Sequence, residues 1–323
     1  MTEEKAGDLL NYLDELWLST PLITKSLLES NGLTHIHVRG QIAPTDTDLI
    51  KFYYNLNKVP DGFSVVNYNS FITDNSPIQH VKNNLVDSDK TEKAMKGINW
   101  NQSYNELKDK NPAVEDIINE VLFLKLFNQT KDIADKLMIK YWFNTPMQEH
   151  VNLDVISGIP MPKVLSLPLT GNFTDVDLKE AFALLSGRAV MKVDTEGMQP
   201  GVIPTPHWLV YEDGKLQQLP AFEMDKVIRS LSHQTKPDEQ SLIAMMTQLI
   251  KGELAPAKLI IEGKPIEGYL EADPRAKNVR FYDEQGNKIE LNHPSLLKAV
   301  NETVTVKTNQ RNISSQKKKG PSL

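Results

Sequence analysis

The chain has 323 residues, of which 40% are hydrophobic and 24% are charged, a balance that excludes a wholly disordered or collagen-like protein and allows more than one folded domain. Cysteine is absent, which excludes structural disulfides, thiolate metal sites and cysteine nucleophiles. No apolar stretch approaches the ~20 residues that span a bilayer, and the polar start Met1–Lys5 does not resemble a secretory signal. We therefore expect a cytoplasmic protein that does not contact a membrane.

Charge is distributed unevenly along the chain. The formal net charge is −6, but the residues from Thr303 onward carry five basic side chains and no acidic one, so the preceding part carries −11. We expect this acidic part to repel nucleic acid over most of its surface, and only the basic tail to contact phosphate. The candidate contacts in the tail are Arg311, Lys317, Lys318 and Lys319.

The N-terminal part of the chain predicts a mixture of helices and strands. Helical periodicity occurs over Glu3–Leu18 and Leu22–Glu29. Alternating apolar residues predict strands at His35–Val38 and Phe63–Tyr68. Between these strands a capping residue precedes Asp48–Leu56, which we predict to be helical.

The centre of the chain contains the strongest helical pattern. The polar segment Asp74–Lys110 predicts a loop with short helices. Pro112 then begins a helix with apolar positions over Val114–Leu126, because proline is tolerated in a first helical turn. A partner helix begins at Asp132 and ends before Asn144-Thr145-Pro146. Together these two segments predict a helical hairpin.

Prolines cluster after this hairpin. Pro160, Pro162 and Pro168 lie within nine positions, and each restricts its own backbone and that of the preceding residue. We therefore predict that residues 157–170 form a linker. It would join an N-terminal domain, 1–156, to a C-terminal domain, 171–300, which a flexible basic tail, 301–323, follows.

The C-terminal domain contains a sequence pattern that occurs twice. In each half a helix is followed by glycine, a strand and an antiparallel hairpin with an Asp-Gly or Glu-Gly turn. A helix on one face of such a sheet gives an α+β fold. We predict an α+β protein with a mixed N-terminal domain, then two helix-plus-antiparallel-hairpin repeats at about 175–222 and 238–292. The helices are Leu178–Leu185 and Leu242–Ile250, and the glycines that follow them are Gly187 and Gly252.

This domain contains a helix that ends in Leu-x-x-Gly-Arg-Ala-Val. An aromatic strand and then a hairpin follow this helix. They lie at Phe182–Val190, Trp208–Tyr211, Tyr269–Pro274 and Val279–Asp283. With the basic tail, they resemble an uncharacterised domain family of conjugative-transposon and other mobile-element proteins of Bacteroidetes. The resemblance implies a genomic setting and no catalytic residue. The chain departs from the family in a Gly- and Pro-rich segment at Thr195–Pro206, and residues 1–150 resemble no family.

Two histidines on the first predicted strand are candidate metal ligands. His35 and His37 are separated by one residue and therefore share one face of the strand. Two such imidazoles can bind a divalent metal or act in acid–base chemistry. Alternatively they lie on the solvent face while Ile36 and Val38 face inward, and no third ligand follows at a recognisable spacing.

A basic residue and several aromatic residues form a second candidate surface. Arg188 can clamp phosphate, but we favour Gly187 as a helix C-cap that leaves Arg188 near the negative end of the helix dipole. Aromatic strand residues stack on bases or partner side chains where they are exposed, and otherwise form the core of their sheet. The possible interaction face consists of Arg188, Trp208, Tyr211, Tyr269 and Tyr282.

These observations favour a binding function over catalysis. The sequence has no Walker, dinucleotide-binding or serine-hydrolase motif. We expect a non-catalytic binding or accessory protein of a mobile genetic element, without a cofactor, that contacts protein partners or nucleic acid. The alternative is a metal-dependent hydrolase that uses His35 and His37.

Overall fold

The computed structural model describes residues 3–18, 35–60, 62–153, 158, 160–170, 175–193 and 205–291. In these ranges the protein is α+β, as predicted, with helices packed on antiparallel sheets. None of the described helices is long and apolar enough to cross a bilayer. The helices are α1 Glu3–Glu15, α2 Ser88–Lys96, α3 Tyr104–Lys110, α4 Ala113–Leu124, α5 Lys131–Tyr141, α6 Pro146–His150, α7 Leu178–Leu185, α8 Met224–Ser230 and α9 Glu239–Ile250. The strands are β1 His35–Ile42, β2 Asp48–Val59, β3 Gly62–Ser64, β4 Asn67–Asp74, β5 Leu165–Pro168, β6 Val190–Val193, β7 Pro206–Glu212, β8 Lys215–Pro220, β9 Ala255–Ile261, β10 Lys264–Asp273, β11 Asn278–Asp283 and β12 Lys288–Ile289.

Strands β1 to β5 form the N-terminal sheet. Its order is β1-β2-β4-β5, with β3 beside β2, and every pair is antiparallel. Alternate residues of β2 from Ile50 to Leu56 are fully buried on one face. The helix predicted over Asp48–Leu56 is therefore wrong. Aromatic and branched side chains fit a pleated surface, and the strands on both sides of β2 satisfy its backbone hydrogen bonds.

The first core lies between the N-terminal sheet and helices α1 and α7. Leu13 of α1 and Leu178 of α7 are both fully buried in it. The Tyr54 hydroxyl donates to the Leu18 carbonyl at 3.0 Å, and the Tyr68 hydroxyl donates to the Val176 carbonyl at 2.8 Å. Helix α7, which lies in the predicted C-terminal domain, thus shares a core with the N-terminal sheet.

Part of the predicted linker is a strand of the N-terminal sheet. β5 pairs with β4, and Leu165, Leu167 and Leu169 are buried in the first core while Ser166 and Pro168 are exposed. Pro168 is tolerated because β5 forms an edge of this sheet in the described ranges, where a missing N–H breaks no ladder bond. The linker prediction is therefore wrong for 165–169, where the apolar alternation outweighs the prolines.

Helices α2 to α6 form a lobe against the opposite face of the N-terminal sheet. The predicted helical hairpin is confirmed as α4 and α5, which line the second core with residues such as Val114 and Leu137. Phe71 of β4 joins this core and meets Phe143 edge to face, with 4.4 Å between ring centroids. The lobe covers one end of this face and leaves residues such as Asn55 at the other end exposed.

A third core fills the C-terminal part of the protein. Strands β6 to β8 form the middle sheet, and β9 to β12 form the C-terminal sheet. Leu209 of β7 faces the first core, whereas Trp208 and Val210 face the third core, which α8, α9 and the C-terminal sheet complete. Strand β7 of the middle sheet thus contributes to two cores, whereas the residues of β8 are exposed or half-buried.

Helices α7 and α9 end in the same way. Gly187 and Gly252 have φ of 81° and 72°, a left-handed conformation that glycine adopts without strain. The N–H of Gly187 donates to Leu184 at 3.0 Å, and that of Gly252 donates to Leu249 at 3.1 Å. β6 and β9 each begin three residues after the glycine. This order of helix, glycine and strand agrees with the repeated pattern in the sequence. The boundaries of the two repeats remain a prediction.

Candidate functional site

The uncovered end of the N-terminal sheet carries polar side chains from neighbouring strands. The antiparallel register places Arg39 of β1 opposite Tyr53 of β2, which lies opposite Asn69 of β4. The adjoining rows place His37 opposite Asn55. All these side chains are exposed or half-buried. We call this surface the polar face, and its residues are His35, His37, Arg39, Tyr53, Asn55, Asn57, Asn67, Asn69 and Ser166.

His37 is held in place on the polar face by two neighbours. Its Nδ1 lies 2.7 Å from Oδ1 of Asn55, and its ring stacks on Tyr53 with 5.6 Å between centroids and 28° between the planes. Burial lowers the pKa of His37, Arg39 and His35 lower it further, and the hydrogen bond to Asn55 opposes this effect. His37 and Tyr53 therefore form a fixed pair of rings on the sheet surface.

His35 and His37 lie on one strand face, as the metal interpretation requires, but two histidines alone do not complete a metal site. His35 and His37 are both exposed on one face of β1, as the alternation predicts. Nδ1 of His37 pairs with the Asn55 amide, which leaves Nε2 for a metal. Within the described ranges no group of three or more His, Asp or Glu side chains is placed to hold a metal ion. These residues supply only two ligands of the three or four that a catalytic zinc site uses.

A cleft of about 840 Å³ adjoins the polar face at Arg39. β1, β2, α2, the loop after α2 and the end of α5 form its walls. Five basic residues line it, against two acidic residues, Asp89 and Glu92. We call it the basic cleft, and its charged and amide residues are Arg39, Gln41, Lys51, Asn75, Asp89, Glu92, Lys93, Lys96, Asn99, Asn101, Lys140 and Asn144.

Only part of this positive charge is neutralised inside the cleft. Lys93 pairs with Asp89 at 2.5 Å, and Lys140 pairs with Glu92 at 2.9 Å. The remaining cations, Arg39, Lys51 and Lys96, make no ion pair with a carboxylate of the described chain. The cleft therefore concentrates positive charge in a chain whose net charge is −6.

Arg39 links the cleft to the polar face. It is half-buried, and its Nε has no hydrogen-bond partner in the described part of the chain. Burial lowers the pKa of Arg39, and attraction by Glu149 and Tyr53 opposes this effect. A guanidinium stays charged in proteins, and a buried N–H without a partner carries a desolvation penalty that an anionic ligand would relieve.

Lys51 lies at the floor of the cleft and has a structural role. Its side chain is 4% exposed, and Nζ donates to the carbonyls of Ile139, Lys140 and Phe143 at 3.4, 2.8 and 3.1 Å. These acceptors lie at and just beyond the C-terminal end of α5, where carbonyls lack helical partners. Burial lowers the pKa of Lys51 to about 7. All its donors are used, so Lys51 joins β2 to α5 and leaves direct ligand contact to its neighbours.

A cluster around Glu92 fixes the opposite wall of the cleft. Oε1 of Glu92 accepts from Lys140 at 2.9 Å and from Tyr141 at 3.0 Å, and Oε2 lies 2.8 Å from Nε2 of His80. Burial raises the pKa of Glu92, but the bonds from Lys140, Tyr141 and His80 outweigh it, so the net effect lowers that pKa. Burial and the Glu92 charge raise the pKa of Tyr141. Glu92 and Tyr141 therefore do not exchange protons near neutral pH, and the cluster fastens α2 to α5.

The possible interaction face of the C-terminal part is not one surface. Trp208 is 0% exposed and stacks on Phe222 in the third core, so its prediction as an interaction residue is wrong. Tyr211 packs against the first core, and its hydroxyl donates to the Val164 carbonyl at 3.3 Å. Tyr269 and Tyr282 lie opposite each other on β10 and β11 of the C-terminal sheet.

Arg188 lies where the cap interpretation places it. Its N–H donates to the Ala183 carbonyl at 2.9 Å, one residue after the left-handed Gly187. Its guanidinium lies 5.3 Å from the centre of the Phe182 ring. Burial lowers the pKa of Arg188, and attraction by Glu271, followed by two further carboxylates, opposes this effect. Arg188 is not one of the residues that line the basic cleft.

Two predictions fall outside the described residues. They are the helix Leu22–Glu29 and the tail residues Arg311, Lys317, Lys318 and Lys319.

The chain matches no protein-family model, no curated protein and no solved structure. The resemblance to the mobile-element family therefore rests on the residues that carry it.

The basic cleft was not predicted from the sequence, because its residues come from separate segments between Arg39 and Thr145. One signal for the polar face was present. Asparagine is depleted in strands, yet it recurs at alternate positions in β2 and β4. Read as strands, these segments place Asn55, Asn57, Asn67 and Asn69 on one face.

Proposed function

We propose that this chain is a non-catalytic binding protein of a mobile genetic element and that its basic cleft binds a phosphate-bearing ligand. The mobile-element setting rests on the C-terminal segments that resemble that family. The binding function rests on the cleft, in which Arg39 and Lys96 lack carboxylate partners within the described chain.

The size and lining of the cleft suit such a ligand. A volume of about 840 Å³ falls in the range of small-molecule sites, about 300–1,000 Å³. Arginine binds phosphate with two parallel hydrogen bonds, and lysine adds a point charge. Amide side chains such as Asn99 and Asn144 add neutral donors around these charges.

The same residues favour binding over catalysis. The carboxylate at the cleft wall, Glu92, has a lowered pKa and accepts bonds from Lys140 and Tyr141, so it is a poor general base near neutral pH. Lys51 is the group with a pKa near neutrality, about 7, but its three donors are directed at backbone carbonyls. Neither group is free to exchange a proton with a ligand.

Inorganic tripolyphosphate is a suitable probe for this proposal. We expect it to bind the full chain, with an affinity that falls as salt increases. The combined variant Arg39→Met and Lys96→Met should weaken binding by about 10-fold or more, because charge-assisted hydrogen bonds are lost. Isothermal titration calorimetry measures both effects.

Lys90→Ala is the matched control. Lys90 lies on α2, as Lys96 does, but it lines a different groove. We expect Lys90→Ala to bind tripolyphosphate as the unaltered chain does. Absence of binding, or equal losses in Lys90→Ala and in the Arg39 and Lys96 variant, would contradict a site in the cleft.

A further inference from the structure

We infer that the polar face binds single-stranded nucleic acid whose phosphates enter the basic cleft. This inference rests on the proposed function, because it assigns the ligand of the cleft to a class. It adds a second surface, which would contact the bases.

The first observation is that the two surfaces are continuous. Arg39 lines the cleft and also lies in a cross-strand row with Tyr53 and Asn69 on the polar face. A strand with phosphates at Arg39 and Lys96 would therefore extend its next nucleotides over Tyr53 and His37. The positive charge at one end of the sheet surface gives such a strand its position and direction.

The second observation is the pair of rings. Tyr53 is half-buried and His37 is exposed, and they stack with 5.6 Å between their centroids. Aromatic side chains on a sheet surface form a platform on which unpaired bases stack, and each stacked base contributes substantially to binding. Because His37 is also held by Asn55 at 2.7 Å, the platform exists before a ligand binds.

The third observation is the asparagine content of the face. Asn55, Asn57, Asn67 and Asn69 occupy strand positions that asparagine disfavours. The described hydrogen bonds of this set are few: Oδ1 of Asn55 accepts from His37, and Nδ2 of Asn67 donates to Ser166 at 3.4 Å. An amide carries both donors and an acceptor, which matches the mixed edge of a nucleobase. Base recognition thus explains a composition that sheet stability does not.

These features favour a single strand over a duplex. A sheet surface with amides and rings reaches base edges and base faces only when the bases are unpaired. A duplex covers those faces by stacking and presents its edges inside grooves that a broad sheet does not enter. Glu149 is an acidic group that acts on both Arg39 and His37, and it lies on α6 in the helical lobe.

Fluorescence anisotropy with a labelled oligothymidine of about ten nucleotides tests this inference on the full chain. We expect binding that is tighter than to a duplex of the same length. Tyr53→Ala should weaken oligothymidine binding by about 10-fold, the loss of one stacked base, and should leave tripolyphosphate binding unchanged. Tyr53→Leu fills the same space without a ring and should show the same loss.

Tyr269→Ala is the matched control. Tyr269 is a strand tyrosine that is 40% exposed on the outer face of the C-terminal sheet, away from the cleft. We expect this variant to keep its oligothymidine affinity within about 2-fold, as for a surface change outside the site. Circular dichroism of each variant verifies that it is folded.

The outcomes separate the inference from the proposed function. If tripolyphosphate binds through Arg39 and Lys96 but both Tyr53 variants keep their oligothymidine affinity, the inference is wrong. The proposed phosphate-binding function of the cleft then remains supported. If tripolyphosphate does not bind, the proposed function fails. If the combined variant Lys317→Ala, Lys318→Ala and Lys319→Ala alone abolishes oligothymidine binding, the tail and not the polar face binds nucleic acid, which also overturns the inference.

Discussion

At the end that the helical lobe leaves uncovered, the two faces of the N-terminal sheet have opposite characters. On one face Ile50, Phe52 and Tyr54 are buried beneath α1 and α7, and the Tyr54 hydroxyl has a backbone acceptor. On the other face their neighbours in sequence, Tyr53 and Asn55, remain partly or fully exposed. One strand therefore serves a closed apolar core and an open polar surface at alternate positions.

This difference between the two faces predicts that stability depends mainly on one face and binding mainly on the other. The apolar face contributes to stability through burial, at roughly 25 cal/mol per Å² of apolar surface removed from water. The polar face removes less surface from water, although Tyr53 also packs against the second core, and its asparagines are unfavourable in strands. We therefore expect changes on the apolar face to alter the free energy of unfolding, and changes on the polar face mainly to alter binding.

The largest effect should come from Phe52→Ala. Phe52 is 1% exposed in the first core, and Gly40 of β1 leaves space for its ring. Loss of a buried phenyl group costs about 3–5 kcal/mol, whereas Tyr53→Ala one residue further on should cost less than half as much. Urea unfolding of both variants measures this. Equal losses in the two variants would remove the distinction between the faces.

An intermediate effect should come from Lys51→Met, at the place where the helical lobe meets the sheet. This change removes the donor to the Ile139, Lys140 and Phe143 carbonyls and should cost about 1–3 kcal/mol near neutral pH. It tests whether one buried cation fastens the lobe to the sheet. Unchanged urea unfolding of the variant would exclude this role.

The effect of Lys51→Met on the free energy of unfolding should depend on pH. Burial lowers the pKa of Lys51 to about 7 in the folded protein, whereas a lysine in an unfolded chain titrates near ~10.4. Between these values the unfolded chain binds the additional proton, so this group makes stability rise with pH. The difference in unfolding free energy between the unaltered chain and Lys51→Met should therefore be larger at about pH 9.5 than at about pH 6. A difference independent of pH would show that the pKa of Lys51 is not lowered.

A smaller effect of opposite sign should come from Asn69→Thr. Asn69 lies between Tyr53 and Ser166 on the polar face. Threonine is a better strand residue, so we expect this variant to gain up to about 1 kcal/mol of stability. Oligothymidine binding should become weaker at the same time. A variant that loses stability would show that Asn69 supports the fold.

The smallest effect concerns the protonation of His37. Burial lowers its folded pKa below the value in an unfolded chain, so over that interval the unfolded chain binds the additional proton. This contribution to stability is present at higher pH and is lost as pH falls through the interval. His37→Gln should remove it, and urea unfolding between about pH 5 and pH 7.5 measures the difference. Protonated His37 adds a positive charge, so oligothymidine binding should strengthen more as pH falls in the unaltered chain than in His37→Gln, in which Lys51, with a pKa of about 7, still gains a proton.

Much of the fold could be predicted from local patterns. The helical hairpin α4 and α5 follows from its periodicity, and the turns at Asp213-Gly214 and Glu262-Gly263 have the positive φ values that such dipeptides favour. These features depend on residues within a few positions of one another, so neighbours elsewhere in the chain do not change them.

The wrong predictions concern segments whose secondary structure depends on residues far away in the sequence. Asp48–Leu56 has a possible helix cap and an alternating pattern, and the hydrogen bonds of β1 and β4 select the strand. Leu165–Pro168 has proline within its apolar alternation, and pairing with β4 makes it part of the sheet. In both segments the backbone bonds come from residues far along the chain, which local propensity does not describe.

The sequence by itself determined the α+β class, the absence of cysteine chemistry and the shared face of His35 and His37, because composition and alternation are local properties. Only the tertiary structure decided where charge accumulates. An acidic chain of net charge −6 folds so that Arg39, Lys51 and Lys96 line one cleft, although they come from different elements. Electrostatic interactions depend on distance in space, and the fold sets that distance. The same holds for Tyr53 and His37, which form one platform only through the register of β1 and β2.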